Sequence, residues 1–285
     1  MDITRVCVVG GGTMGNGIAH VFAQKGFEVT LVEAKKELAD KALATIAKNL
    51  DRQVAKGGLT AADKDAALAR LKTATSIAEA AGFELAVEAV PEKLEIKTAV
   101  FKELERHGAP GAILATNTSS LPITDIAAAL KDPTRVIGMH FMNPVPVMKL
   151  VEIIRGKKTS DAATEAIKAL TVKLGKIPAV ANDFPGFVSN RVLMPMINEA
   201  ILCLQEGVST KEDIDTIMKL GMAHPMGPIA LADYIGLDVC LAIMEVLDKG
   251  FGGAKYKPAE LLRQMVAQGK LGVKSGSGFY EYPKK

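Results

Sequence analysis

Val6-Cys7-Val8-Val9-Gly10-Gly11-Gly12-Thr13-Met14-Gly15 reads as a buried strand, a glycine turn and the start of a helix. An unbroken apolar run suits a strand covered on both faces. The turn fits G-x-G-x-x-G at Gly10, Gly12 and Gly15. Gly10 permits the tight turn, Gly12 lets the backbone approach a pyrophosphate, and Gly15 lets the helix pack closely on the strand. The helix N-terminus, at Thr13 and Met14, offers N–H groups and a positive dipole end to phosphates. A second apolar run, Glu28–Val32, leads to Glu33. A carboxylate about 20 residues past such a turn binds a ribose 2′-hydroxyl and repels a 2′-phosphate, which favours NAD over NADP. Lys35 and Lys36 follow closely and pull the other way.

Outward from this turn, short apolar runs alternate with helical patterns. Strands are expected at Arg5–Val9, Glu28–Val32, Leu85–Ala89, Ile113–Thr116 and Arg135–His140, with helices such as Met14–Lys25, Lys36–Lys56 and Lys93–Arg106 between them. That alternation implies a mostly parallel, Rossmann-type α/β sheet with helices on both faces. Leu150–Ile154 follows the turn-rich Asn143-Pro144-Val145-Pro146 too soon for a parallel crossover, so it is expected to pair antiparallel. A helix (Ala162–Leu174) and a strand (Pro178–Ala181) close the domain. Asn182-Asp183-Phe184-Pro185-Gly186 reads as a boundary, beyond which the period is helical: Val192–Glu206, Lys211–Leu220, Pro228–Asp248 and Pro258–Gln268. Two domains are expected, 1–184 binding the dinucleotide and 185–285 all-helical.

The composition is that of an ordinary globular protein, with 48% hydrophobic and 24% charged residues. The net charge of +3, from 35 basic and 32 acidic residues, is too small to point to nucleic acid. Cys7, Cys203 and Cys240 are scattered and odd in number, so neither a disulfide framework nor a metal site is expected. No signal peptide is visible and the apolar runs are too short or too interrupted to span a bilayer; a cytoplasmic location, away from membranes, is the expectation.

In an open parallel sheet, ligands sit beyond the C-terminal strand ends. Thr116-Asn117-Thr118-Ser119-Ser120, His140 and Asn143 all fall there. His140 is the natural general base, since imidazole titrates near neutral pH. An antiparallel turn about Pro146 sets residue 152 opposite residue 140, and Glu152 is the lone carboxylate in Leu150–Ile154. It is therefore expected to orient the imidazole. His20, His107 and His224 are expected to be structural or solvated.

These residues sit in longer motifs: the glycine turn, Val87-Glu88-Ala89-Val90-Pro91-Glu92, Thr116-Asn117-Thr118-Ser119-Ser120-Leu121, Gly138-Met139-His140-Phe141-Met142-Asn143-Pro144-Val145, Pro185-Gly186-Phe187-Val188-Ser189-Asn190-Arg191 and Gly276-Ser277-Gly278-Phe279-Tyr280. Through them, over nearly its whole length, the chain resembles the 3-hydroxyacyl-CoA dehydrogenase family, and its short bacterial 3-hydroxybutyryl-CoA dehydrogenases in particular. The resemblance implies NAD-dependent, reversible oxidation of a (S)-3-hydroxyacyl-CoA to the 3-oxoacyl-CoA. It implies His140 as base oriented by Glu152, and Ser119 and Asn190 near the substrate's C3 oxygen or thioester. Glu33, Glu92, Lys97, Ser119, Asn143 and Lys274 match cofactor-contact positions, and Lys56 matches a coenzyme A contact. A homodimer built mostly on the helical domain is implied as well. Glu33 stands where the family often has Asp, and Lys274-Ser275-Gly276-Ser277-Gly278 where Lys-Thr-Gly-Arg-Gly is common. Spacing alone leaves the basic ridge Lys41, Lys48, Arg52 and Lys56 as either a phosphate contact or a solvated face. Two alternatives stand beside this reading: a dehydrogenase of a small free 3-hydroxy acid, and a non-catalytic NAD-binding relative.

Overall fold

A computed structural model describes residues 2–283. The chain forms two compact units, Met1–Phe184 and Pro185–Lys285. Residues 1, 284 and 285, the outermost of the expected domains, lie outside the described residues.

The first unit runs β1 (Arg5–Val9), α1 (Thr13–Gln24), β2 (Glu28–Val32), α2 (Lys36–Ala55), α3 (Ala61–Ala69), β3 (Leu71–Ala74), β4 (Leu85–Glu88), α4 (Leu94–His107) and β5 (Ile113–Thr116). It continues with α5 (Ile123–Ala127), β6 (Val136–Phe141), β7 (Leu150–Arg155), α6 (Asp161–Lys173) and β8 (Ile177–Asn182). The strands form one sheet in the order β3-β2-β1-β4-β5-β6-β7-β8. The strands β1 to β6 are parallel; β7 is antiparallel to β6, and β8 is parallel to β7. Every residue of β4, β5 and β6 is buried, as both-face coverage requires. Val6 and Val8 pack with Ile18, Phe22, Ile46 and Leu50 in one cluster. Alternation turns Cys7, Ala86 and Leu114 to the opposite face, where they are also fully buried.

Two elements of this unit carry too weak a pattern to be read in advance. The strand β3 has only four residues and exposes Lys72 and Thr73. The helix α3 is Ala-rich and buries only Ala67, so its apolar stripe is nearly absent; its start is set by Thr60, whose hydroxyl accepts from the Asp63 N–H.

The second unit is helical: α7 (Ser189–Gln205), α8 (Lys211–Leu220), α9 (Pro228–Ile235), α10 (Leu237–Phe251) and α11 (Glu260–Ala267). Its core gathers Met194, Ile197, Ile201, Ile229, Leu237, Met244, Leu247 and Leu262. The single helix expected over Pro228–Asp248 is two helices. Gly236, at φ 107°, breaks it, and a side chain there would press on Lys274 and Asp238. The buried Asp233 accepts from the N–H groups of Phe279 (2.9 Å) and Tyr280 (2.8 Å) and from the Tyr282 hydroxyl (3.1 Å), binding the tail that carries Lys274. No helix among the described residues is long and apolar enough to cross a membrane.

Candidate active site

Strand register brings the first unit's candidates to one rim. Val32 pairs with Val9, Val9 with Glu88, Glu88 with Thr116 and Thr116 with Gly138. The segments that follow these residues carry Glu33, the glycine turn, Ala89 to Glu92, the Ser119 loop and His140. The sheet's order reverses between β1 and β4, where α/β sheets open a crevice. A groove of about 700 Å³ lies there. Its lining includes Gly10, Gly12, Thr13, Met14, Glu33, Val90 and Pro91.

His140 and Glu152 are register partners in the β6–β7 pair, and His140 Nδ1 donates to Glu152 Oε2 over 3.0 Å. Both side chains are buried. The Phe141 N–H donates to Asn117 Oδ1 (2.9 Å), which ties the Ser119 loop to the strand of His140. Ser119 is half-buried, and its N–H donates to Glu92 Oε1 (3.0 Å). Asn143 is exposed in the turn between β6 and β7. Lys56 caps α2, and Lys41, Lys48, Arg52 and Lys56 are all exposed.

Glu92 and Lys97 belong to a polar network. Lys97 is buried, and its ammonium donates to Glu88 (2.7 Å) and the Val90 carbonyl (3.3 Å) and lies 3.2 Å from Glu92. Its link to the groove therefore runs through Val90. Burial raises the Glu88 carboxyl above its ordinary range despite the Lys97 ammonium. For Glu92 burial acts the same way, but Lys97 and the hydroxyls of Thr118 and Ser120 outweigh it and its pKa is lowered. In the second unit, Asn190 is buried in the first turn of α7, and the exposed Lys274 is ion-paired with Asp238.

Residues 5–184 match the model of the 3-hydroxyacyl-CoA dehydrogenase NAD binding domain, and residues 186–282 that of the 3-hydroxyacyl-CoA dehydrogenase C-terminal domain. The chain belongs to the 3-hydroxyacyl-CoA dehydrogenase family. It is 53% identical over 285 residues to a probable 3-hydroxybutyryl-CoA dehydrogenase of Bacillus subtilis, covering 100% of this chain and 99% of that one. It is 51% identical over 280 residues to the 3-hydroxybutyryl-CoA dehydrogenase of Bradyrhizobium diazoefficiens, covering 98% and 96%. The crystal structure of (S)-3-hydroxybutyryl-CoA dehydrogenase from Ralstonia eutropha superposes with a TM-score of 0.97 at 49% identity, covering 99% of this chain and 100% of that one. The protein is an NAD-dependent dehydrogenase of this family.

The glycine turn of this dehydrogenase fits NAD. A Cβ on Gly10 would come within 2.6 Å of the Ala89 carbonyl oxygen, and one on Gly15 would overlap the Gly10 carbonyl. A Cβ on Gly12 would meet nothing within 4 Å, so that side of the turn is open for a pyrophosphate. Gly12 caps α1 without a side-chain hydrogen bond and the first turn has no acidic residue, which leaves the dipole end to a ligand. Glu33 accepts from the Gly11 N–H (2.6 Å), so its carboxylate is held at the turn. The Lys36 ammonium is drawn to Asp40 (2.9 Å). Among the described residues no group of three or more His, Cys, Asp or Glu could hold a metal ion.

Sequence reasoning passed over several residues at this site. Glu88 ends an apolar strand as a lone carboxylate, the same signal that picked out Glu152. Thr118 donates to Glu92 through its hydroxyl and accepts from the Leu121 N–H (2.9 Å). The buried Lys176 donates to the carbonyls of Val145 and Met148 (2.6 Å each) and clamps the turn that carries Asn143. Burial and the neighbouring Lys25 hold its ammonium below the usual lysine range. A lysine whose partners are carbonyls leaves no pattern in sequence.

Proposed function

We propose that this protein interconverts (S)-3-hydroxybutyryl-CoA and acetoacetyl-CoA, with His140 as general acid and base. The observation that carries this reading is the buried His140–Glu152 hydrogen bond at the rim of the sheet (3.0 Å). Donation from Nδ1 to the carboxylate directs the basic lone pair to Nε2 and stabilises the imidazolium that forms on protonation. In oxidation Nε2 takes the proton of the C3 hydroxyl; in reduction it returns a proton to the C3 oxygen. NAD, when bound, supplies the hydride acceptor. Gly10, Gly12, Thr13, Met14 and Gly15 hold its pyrophosphate and Glu33 its ribose, with Glu92, Lys97, Ser119, Asn143 and Lys274 completing its contacts. Ser119 and Asn190 bind the substrate's C3 oxygen or thioester, and Lys56 the phosphates of coenzyme A. Residues 1–184 thus carry most of the cofactor contacts, and 185–285 add Asn190 for the substrate and Lys274 for the cofactor and serve dimerisation. The names of the relatives support the four-carbon acyl chain.

A homodimer fits the second unit, which exposes Val208, Ile217, Leu220, Met222 and Tyr234. The free thiols Cys7, Cys203 and Cys240 fit a reducing cytoplasm.

The test follows NADH absorbance with acetoacetyl-CoA, then with free acetoacetate, longer acyl chains and NADPH. Rapid turnover of acetoacetyl-CoA with NADH and little with the free acid is expected. Preference for the free acid would turn the assignment to the smaller substrate. NADH binding without turnover would make the protein a non-catalytic relative.

A further inference from the structure

Glu88 ends β4 with no solvent exposure. Its carboxylate accepts from donors on separate segments: Lys97 Nζ in α4, the Val90 N–H in the groove wall and Thr116 Oγ1 at the end of β5, each at 2.7 Å. Lys97 is buried with it and reaches on to the Val90 carbonyl (3.3 Å) and Glu92 (3.2 Å). Glu92 receives the N–H groups of Ser119 (3.0 Å) and Ser120 (3.2 Å), the Ser120 hydroxyl (3.0 Å) and the Thr118 hydroxyl. An unbroken chain of contacts thus joins the wall of the cofactor groove to the backbone of Ser119.

Stability does not account for this arrangement. Apolar side chains of similar volume commonly stabilise a core as well as a buried ion pair does. What they cannot do is direct two carboxylates and their donors to fixed places. Lys97 shares its ammonium between Glu88, Val90 and Glu92, and Glu88 is the partner that anchors it from below the rim. The exposed edge of the network is Glu92, whose side chain keeps 37% of its accessible surface. Without Glu88, the ammonium has only this partly exposed carboxylate and one carbonyl to hold it.

We propose that Glu88 is a positioning residue for hydride transfer: by anchoring Lys97 between Val90 and Glu92 it holds the groove wall and the Ser119 loop in one geometry. This rests on the reading of Ser119 as a substrate- and cofactor-contacting residue. Glu88 itself touches neither substrate nor cofactor.

Glu88→Gln keeps the shape but removes the charge and turns an amide NH2 toward donors. In the protein without ligands, backbone amides of residues 117–121 are expected to exchange about tenfold faster, because their anchor is local. NADH binding, read by fluorescence, weakens, and kcat with acetoacetyl-CoA falls on the order of tenfold or more, the scale of a small misplacement of reacting groups. Lys97→Met gives the same pattern, and the double variant is no slower than the slower single one, because both act through one contact. Thr116→Val, which removes a single donor to Glu88, shifts exchange and kcat in the same direction by less and serves if Glu88→Gln does not fold. A lower Tm with unchanged exchange at 117–121 overturns the proposal, as does faster exchange with wild-type kcat. Ser119→Ala is the separate control: wild-type kcat there removes the Ser119 reading and the functional half of this proposal, while the exchange data still decide whether Glu88 holds the loop.

Discussion

His140 and Glu152 lie 12 positions apart, and the contact between them depends on antiparallel register. If His140 moves the substrate proton, His140→Gln lowers kcat by roughly 10²–10⁴-fold, the usual worth of a positioned acid–base group. NADH affinity, measured by fluorescence titration, stays near wild type, because the glycine turn, not His140, is the proposed holder of the pyrophosphate. Near-normal turnover in this variant would remove His140 from the mechanism. His20 is the opposite kind of histidine. It is buried in α1 with its pKa lowered to about 4, mainly by burial. The unfolded chain takes up its proton near 6.5, whereas the folded chain resists until about 4. The unfolded state therefore binds more protons between those values. The stability is fully present above pH 6.5 and is lost as pH falls toward 4, by about 3 kcal/mol for this group. Denaturant unfolding at pH 7 and pH 4 should show His20→Leu losing less stability over that range than wild type; equal losses would mean that His20 charges without cost.

At the scale of elements, the β1–turn–α1 unit separates folding from binding within the four residues Gly12 to Gly15. Gly15 has the Gly10 carbonyl where a side chain would stand, so Gly15→Ala is expected to lower Tm sharply or prevent folding. Gly12 has φ −60° and open space around it, so Ala fits its backbone and Tm changes little. Its Cβ would instead occupy the approach to the N-terminus of α1, and NADH affinity should fall by about an order of magnitude or more, as removal of close phosphate contacts entails. Two variants that lost Tm and affinity together would contradict this division. The same unit was legible from sequence because its demands are local and steric. By contrast α3 and β3, which follow between Ala61 and Ala74, bury too little to show a period.

At the scale of the whole molecule, the helical unit leaves large apolar side chains in water, Leu220 at 82% exposure and Val208 at 69%. Burying such a face against a second copy would stabilise both, at about 25 cal/mol per Å² of apolar surface removed from water. Light scattering after size-exclusion chromatography is expected to give twice the chain mass. Leu220→Glu should shift the protein toward the single-chain mass; a wild-type protein that is a monomer at micromolar concentration would end the proposal of a dimer.

The sequence alone was enough for the dinucleotide turn, the parallel sheet, the change to helices after Phe184 and the facing of His140 and Glu152. Each follows from rules that act over short distances: glycine sterics, apolar periodicity, and the length of chain needed to cross over or to turn back. What only the tertiary structure decided is how Glu88, Lys97, Glu92 and the Ser119 loop share one set of hydrogen bonds, and that Lys176 holds the turn of Asn143. Those contacts join residues 5 to 31 positions apart, on elements whose side-chain directions are set by packing. The glycine turn shows both sides of this. Its backbone could be read from three glycines, but the open space beside Gly12 and the Ala89 carbonyl against Gly10 exist only once β1, β4 and α1 have come together.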